Sequence, residues 1–421
     1  MPTNTVPTLP DDILAGVYVC NDINWNGACS HKFTKPGGSD PDCAQLSGQE
    51  SSLGPDPGFL CEFFTAPVYS PSIVMKLTIS PFVLLAAIDH VTAERFLGRV
   101  DPDTRELTWP GTGVSFTFTG SSASIGIEAI TGANSAELTI DGVATVISDV
   151  KGTSITTPAG LRNGNHTVEL RKRSEALFGT ISIGNITTDG TFGPDVYSSR
   201  KIQVIGDSIT VGYGLDGVNP CVNTAAIENN PKTYAALAAD ALNADYDIIA
   251  WSGIGLTRNY VSPTPDTSDI MPQRWTRYGA LDPLNSYTFP AKATPDAVII
   301  NLGTNDFSYQ AGIRGPIVPA EYTAAMVNFV KTIKTHYPDA TFFLLTSPML
   351  NDGYPAQDAQ KTTQRDALNA AIAQLQNNTS ISLVDMPSQG SDVGCDYHPN
   401  AATHAEGAEI LAKALASGMG W

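Results

Sequence analysis

The chain has 421 residues and a mass of 44.5 kDa, which suits two or three domains of ~100–200 residues each. With 42% hydrophobic and 16% charged residues each domain can bury a core, so disordered and fibrous classes are excluded. Its 24 basic against 42 acidic side chains leave a net charge of −18 and a pI near 4.6, a surface that repels phosphate backbones and anionic lipid, so neither nucleic acid nor a membrane is expected as a partner.

Residues 1–74 read as a small cysteine-rich β module. Cys20, Cys29, Cys43 and Cys61 crowd its length, and Val17 to Cys20 and Phe59 to Phe63 look like short strands. The even cysteine count, wide spacing and lack of a CxxC pair suit disulfides in an oxidising compartment rather than a zinc ribbon. Sequons at Asn165, Asn185, Asn377 and Asn378 are compatible with a secreted glycoprotein. Residues 75–93 read as an internal signal-peptide-like segment. Lys76 is its short positive region, Leu77 to Ile88 its apolar run, and Val91-Thr92-Ala93 its cleavage site. The run is shorter than the ~20 residues a membrane-spanning helix needs. On this reading Met75 is the natural start and the secreted chain begins near Glu94. Residues 1–74 then come from a neighbouring or misassigned coding segment.

Residues 94–192 change style. Val114 to Thr119, Ala123 to Ile127, Ala136 to Ile140, Thr167 to Leu170 and Thr180 to Ile183 alternate apolar with polar side chains. Turn signals separate them, at Pro110-Gly111, Gly132-Ala133-Asn134, Asp141-Gly142 and Asn163-Gly164. An all-β jelly-roll sandwich is expected. Residues 198–421 alternate strand with helix. Ile202 to Ile205, Asp247 to Ala250, Ala297 to Asn301, Thr341 to Leu345 and Ile381 to Val384 are short apolar runs. Thr233 to Leu242, Pro319 to His336, Asp358 to Gln376 and Asn400 to Ala416 read as helices. This pattern predicts an α/β domain with an open parallel, flavodoxin-like sheet and helices on both faces.

Such sheets carry function at the carboxyl ends of their strands, and four polar segments fall there. They are Gly206-Asp207-Ser208, Trp251-Ser252-Gly253-Ile254-Gly255, Gly303-Thr304-Asn305-Asp306 and Cys395-Asp396-Tyr397-His398-Pro399. A hydroxyl, glycine-rich backbone, a side-chain amide and a histidine on one rim are the parts acyl transfer needs. A serine at a helix start is also a common N-cap, and glycines there also serve tight turns. Among the six histidines, His398 and His404 remain once those in the N-terminal region, the sandwich and a surface helix are set aside. His404 falls inside a predicted helix, where a solvated position is expected. The pair lacks a third ligand, so no metal site is expected.

The four segments, in this order, resemble the SGNH (GDSL-type) hydrolase superfamily. The preceding sandwich, the entry Phe96-Leu97-Gly98-Arg99-Val100 and the ending Asp396-Tyr397-His398-Pro399 are similar to carbohydrate esterase family 2. The resemblance covers residues 95–421 and leaves residues 1–74 aside. It implies that Ser208 is the nucleophile and His398 its base. The oxyanion donors implied are the Ser208 backbone N–H, Asn305 and Gly255, the last favoured over Gly253 by the family's second block. The superfamily's Asp-x-x-His pattern fails here, because Cys395 stands three before His398. Asp396 is then the residue to orient His398, unless a backbone carbonyl does so, as in family 2. Asp207 and Asp306 are expected to hold loops.

The resemblance further implies a secreted, monomeric acetyl esterase acting on plant cell-wall polysaccharides such as xylan or glucomannan, without a cofactor. Trp251, Trp275, Tyr278 and Tyr309 are candidate saccharide platforms, with burial in the core the alternative for each. Competing readings are a carbohydrate-binding protein without catalysis and a lipase-like acylhydrolase. Cys221 and Cys395 are the two cysteines beyond the signal-like segment, and oxidation is expected to join them and pin the histidine loop.

Overall fold

Continuous apolar runs and alternating ones mark two kinds of strand in this sequence, and the computed structural model sorts them into separate sheets. It describes residues 94–194, 196–264, 266–390 and 393–421, together with six strands further toward the N-terminus. These six are β1 (Ala15–Cys20), β2 (Cys29–Thr34), β3 (Cys43–Gln45), β4 (Ser52–Pro55), β5 (Leu60–Thr65) and β6 (Ile73–Thr78). They pair as two antiparallel sheets, ordered β2-β1-β4 and β3-β6-β5. Met75 to Thr78, the start of the signal-like segment, lie in β6, and the rest of that segment lies outside the described residues. The chain divides into two compact units, Met1–His90 and Val91–Trp421, and all remaining elements belong to the second.

The alternating segments form an antiparallel sandwich. Its strands are β7 (Arg95–Leu97), β8 (Glu106–Leu107), β9 (Gly113–Gly120), β10 (Ala123–Gly132), β11 (Ala136–Ile140), β12 (Val143–Ile147), β13 (Ser154–Thr156), β14 (Gly164–Lys172), β15 (Gly179–Thr188) and β16 (Thr191–Phe192). One sheet runs β13-β10-β15-β8 and the other β12-β11-β14-β9-β16, with β7 added on β9. Strand period two sends Val114, Phe116, Phe118, Leu138, Val168 and Leu170 inward against Ile125, Ile127, Ile155, Ile181 and Ile183. Of these strands, β7, β8, β12, β13 and β16 were not anticipated. The first four residues of β12 are exposed, so it has no inward apolar face to signal it.

The apolar runs form a parallel sheet of β17 (Lys201–Gly206), β18 (Asp245–Ala250), β19 (Ala297–Asn301), β20 (Thr341–Leu345) and β21 (Ile381–Val384), ordered β18-β17-β19-β20-β21. Its helices are α1 (Ser208–Val211), α2 (Tyr234–Ala241), α3 (Met271–Arg274), α4 (Thr304–Phe307), α5 (Pro319–His336), α6 (Gln360–Leu375) and α7 (Ala401–Met419). Ala235, Ala239, Leu411 and Leu415 of α2 and α7 share one core with Ile202, Val204, Ile248 and Ile299. Met326, Val330, Ile333 and Leu368 of α5 and α6 share the other with Ile205, Ile300 and Leu344. Burial on both faces explains why these strands are continuously apolar. No helix among the described residues is long and apolar enough to cross a membrane.

The sandwich and the sheet share polar and apolar fastenings. Trp109 is fully buried and donates its indole N–H to the Tyr278 carbonyl at 2.9 Å. Arg99 donates to the Trp275 and Arg277 carbonyls at 2.5 and 2.9 Å. Truncating a buried tryptophan of this kind costs about 3–5 kcal/mol.

His404 departs from expectation, because α7 turns it into the core rather than toward water. It is buried, and its Nδ1 accepts the Tyr234 N–H at 3.1 Å. Burial pushes its pKa down to about 3, with the nearby His398 adding to the effect. The folded chain thus resists a proton that the unfolded chain takes up below the ordinary value of 6.5. The corresponding stability is complete above that value and is lost as the pH falls toward 3, at up to ~1.4 kcal/mol per pH unit. His404→Gln keeps an acceptor for Tyr234 and loses the titration. Urea midpoints measured from pH 7 to pH 4 should fall less steeply in this variant than in the wild type.

Candidate active site

Ser208 opens α1, separated from the end of β17 by Asp207 alone. Asp207 caps that helix in extended conformation, its side chain accepting the Ile209 N–H at 3.0 Å. The turn back from α1 needs Gly212, whose φ of +84° is left-handed and where a Cβ would meet the Asn229 carbonyl at 2.6 Å. Ser208 is largely buried, and its Oγ lies 2.9 Å from His398 Nε2. His398 Nδ1 lies 3.0 Å from the Asp396 carbonyl oxygen. A carbonyl only accepts, so Nδ1 carries the proton and Nε2 is left to accept from the serine hydroxyl.

The Asp396 side chain does not orient the imidazole. Asp396 and Tyr397 both have positive φ, 51° and 61°, and this double left-handed turn swings the Asp396 main-chain carbonyl to His398. The carboxylate points elsewhere and accepts from the Tyr213 hydroxyl at 3.1 Å. The Tyr213 ring in turn stacks on the imidazole, centroids 4.1 Å apart and planes 25° apart. Burial, then the bond to Asp396, pushes the Tyr213 hydroxyl up to about 12, so it stays a donor. Burial holds the His398 pKa below its ordinary value, against the opposing pull of the Asp396 carbonyl and carboxylate. Neutral imidazole is therefore the resting form.

Asn305 is buried in α4, just past β19. Its Nδ2 donates to the Ile254 carbonyl at 3.0 Å and meets Asp207 Oδ2 only at 3.4 Å. The second N–H is thus weakly held and available to an incoming oxygen. Burial raises Asp207 to about 7. Asp306 is loop support, accepting the N–H groups of Leu256, Thr257 and Arg258 at 2.9, 2.6 and 3.2 Å.

The sequence points to Gly255 as the glycine donor, and the two glycines of this segment differ in what their N–H groups bond. Gly255 is buried and its N–H is committed to Asn259 Oδ1 at 3.2 Å. The N–H groups of Gly253 and Ser208 have no acceptor among the described residues. Gly253 sits at φ +80°, its carbonyl accepts the Tyr260 N–H at 2.7 Å, and the space around its α-carbon is open. Of the two glycines, Gly253 is the one whose N–H is left without an acceptor among the described residues.

The candidate platforms are dispersed. Trp275 is fully buried, bonded to Gln203 and packed against Phe289, Phe329 and Tyr337, so it presents no face to a saccharide. Trp251 is half-buried with the Arg274 guanidinium over its ring. Tyr278 lines a cavity of about 500 Å³ at the far ends of β17 and β18, which includes none of Ser208, Asn305 or His398. Tyr309 lies just past α4 and donates to Asp358. Tyr260 and Tyr397, at 59% and 66% exposed, are the open rings beside Gly253 and His398. Adjacency to the motif residues was the signal for both, and for Tyr213.

Cys221 and Cys395 are bonded, their Cα atoms 5.2 Å apart. The bond ties the loop after α1 to the turn that carries His398.

Residues 204–406 match the GDSL-like Lipase/Acylhydrolase family, and residues 96–193 match the carbohydrate esterase 2 N-terminal family. A solved carbohydrate esterase family 2 enzyme from Corynascus thermopiles (Myceliophthora fergusii) is 62% identical, with a TM-score of 0.76 over 78% of this chain and all of that one. The cellulase/esterase CelE of Acetivibrio thermocellus is 32% identical over 76% of this chain, which spans 38% of that relative's length. An acetylxylan esterase / glucomannan deacetylase of Cellvibrio japonicus is 30% identical over 62% of this chain and 69% of its own.

Two outcomes follow from the histidine geometry. Only neutral His398 can take the serine proton and burial lowers its pKa, so the acid limb of kcat/KM should lie below pH 6.5. Asp396→Asn keeps the main-chain carbonyl and tolerates the left-handed turn. Its kcat should fall far less than the ~10⁴-fold lost when a carboxylate bonded directly to Nδ1 becomes an amide. Steady-state kinetics across pH check both.

Proposed function

The chain belongs to carbohydrate esterase family 2, and we propose that it works as a secreted serine esterase that removes O-acetyl groups from acetylated xylan or glucomannan. The observation that carries the reading is the 2.9 Å contact of His398 Nε2 with Ser208 Oγ, with Nδ1 held by a carbonyl. A serine hydroxyl is barely ionised at neutral pH, and this neighbour gives its proton a destination.

Ser208 Oγ attacks the acetyl carbonyl carbon while its proton passes to His398 Nε2. The carbonyl oxygen gains the negative charge and is met by the N–H groups of Ser208 and Gly253 and by Asn305 Nδ2. Collapse breaks the bond to the sugar oxygen, which leaves with the proton from His398. Water then repeats the sequence on the acetyl-serine, releasing acetate and restoring Ser208. Each oxyanion donor is worth about 2.7–4 kcal/mol of barrier.

The names of the Cellvibrio japonicus relatives support the polysaccharide substrate. Exposed Tyr260, bonded to Gly253, and Tyr397, next to His398 in the chain, suit the apolar face of a sugar ring. Secretion is supported by the Cys221–Cys395 bond.

Acetate release from acetylated xylan and glucomannan tests the proposal. Wild-type protein should release acetate, and Ser208→Ala or His398→Ala should lose orders of magnitude in kcat while staying folded. Asn305→Ala should lose about 10²–10³-fold in kcat. Near wild-type turnover by Ser208→Ala would sink the mechanism. A preference for octanoate over acetate esters would favour a lipase-like acylhydrolase instead.

A further inference from the structure

We propose that Glu175, a side chain contributed by the sandwich, is a positioning residue for the oxyanion donors, and that the buried cluster of Lys172, Glu175 and Glu228 sets the relation between the oxyanion loop and the histidine loop. The inference rests on the serine-esterase reading. All three side chains are fully buried. Lys172 ends β14, Glu175 stands in the turn to β15, and Glu228 lies in the loop between α1 and α2.

Glu175 Oε2 accepts the Ser252 N–H at 2.9 Å. Ser252 immediately precedes Gly253, so this bond fixes the Trp251–Ser252 peptide, one step before the peptide that carries the Gly253 N–H. On the far side, the Gly253 carbonyl is fixed by the Tyr260 N–H. A glycine is the freest residue in the chain, and holding the peptides before and after the one that bears its N–H narrows the directions that N–H can take. The run of bonds continues the other way. The Glu175 N–H donates to Glu228 Oε2 at 2.7 Å, and Glu228 Oε1 accepts from Asn223 Nδ2 at 2.7 Å. Asn223 Oδ1 accepts the Gly214 N–H at 2.9 Å. Gly214 lies so close to Cys395 that a Cβ there would sit 2.4 Å from the cysteine's own. Cys395 belongs to the turn that aims His398. Glu175 therefore joins the two loops that must meet a single acetyl group, its carboxylate holding the Ser252 side and its main-chain N–H the Glu228 side.

The chemistry of the cluster argues against simple core filling. Two buried carboxylates and one buried ammonium carry a desolvation cost of several kcal/mol per ion, and apolar side chains of similar volume would fill the space more cheaply. What apolar side chains cannot supply is a directed acceptor for the Ser252 N–H. Burial is felt by all three groups, raising both carboxylates and drawing Lys172 down to about 7, with the carboxylates opposing that fall. Lys172 Nζ donates to the Ser174 carbonyl at 2.5 Å, and its charge opposes the effect of burial on the neighbouring Glu175.

The test uses 4-nitrophenyl acetate, whose small acyl group reads acyl transfer without polysaccharide contacts, and phenylboronic acid. The boronic acid binds Ser208 Oγ covalently and leaves a hydroxyl where the oxyanion forms. Glu175→Leu should lower kcat by up to about 10²-fold, as a displaced catalytic group does, with KM little changed. Its calorimetric Kd for phenylboronic acid should weaken by the same factor at unchanged stoichiometry. Glu175→Gln, which restores an acceptor, should recover most of both. A merely structural role predicts the reverse pattern, a reduced stoichiometry of competent sites with an unchanged Kd, and that result overturns the proposal. So does a Glu175→Leu protein with wild-type kcat and Kd. If Glu175→Leu does not fold, the double substitution Lys172→Met with Glu175→Met removes the cation together with its partner, and the same readings apply. Wild-type protein with no Ser208-dependent acetyl esterase activity overturns the esterase reading and this inference with it. Wild-type activity with unaffected Glu175 variants overturns this inference alone.

Discussion

The Asp396 carbonyl, 3.0 Å from His398 Nδ1, can only accept a hydrogen bond, and the state of the site depends on that restriction. It fixes one tautomer, and that tautomer turns the bare Nε2 toward Ser208. A carboxylate in the same place would hold the ring equally well, but it would also draw a proton onto the imidazole at rest. A carbonyl orients with less electrostatic bias. Its direction then has to come from the backbone. Two successive non-glycine residues, Asp396 and Tyr397, take the left-handed conformation, which costs on the order of 1–3 kcal/mol each. Surrounding structure over-determines that turn. The Cys221–Cys395 bond holds one end, and the N–H of Gly394 bonds the His398 carbonyl at 2.7 Å across it.

The sandwich extends this restraint beyond the histidine. Arg173 pairs with Asp216, and its carbonyl accepts the Asn230 N–H at 3.1 Å. Ser135 Oγ donates to the Ala225 carbonyl at 2.5 Å. These contacts all grip the long loop between α1 and α2, which has little regular structure of its own. Loops of that length are usually mobile. Here the loop carries Cys221, Asn223 and Glu228, and its fastening to a β layer lets irregular backbone hold His398 in register with Ser208 near a strand end.

The parts legible in the sequence are those whose physics is local. β19, β20 and β21 span the predicted apolar runs; β19 and β20 are buried almost throughout, and β21 keeps its bounds at the sheet edge with Ser382 exposed. α5 begins and ends as predicted, since Pro319 and Glu321 suit a first turn. α7 starts where Asn400 caps it but runs on to Met419, because Gly418 is tolerated within it and the left-handed Gly420 ends it. Serine, asparagine and histidine were recognisable from their strand ends. The orientation of main-chain groups was not. Whether Gly253 or Gly255 has a free N–H depends on Asn259, which folds back onto Gly255. Whether Asp396 uses its side chain or its carbonyl depends on the left-handed φ angles of Asp396 and Tyr397. Trp275 and Tyr260 are both loop aromatics in the sequence, and only packing puts one in the core and the other in solvent.

In the proposed acyl transfer His398 becomes a cation, and the same features must then serve a charge they do not favour at rest. Three contacts address it. The Asp396 carbonyl remains bonded to Nδ1, the Asp396 carboxylate contributes attraction at longer range, and the Tyr213 ring presents its π face 4.1 Å from the imidazole. A cation over an aromatic face gains about 0.5–2 kcal/mol, more as water is excluded. Tyr213 is held there by its own hydroxyl on Asp396, so carboxylate and ring act through one connected arrangement. Each of the three is weaker than a direct ion pair. Their sum stabilises the imidazolium enough for it to form transiently, while burial keeps the proton off between turnovers. The result is a base that stays neutral into mildly acidic solution. A carboxylate on Nδ1 would raise the pKa of the base and surrender that range.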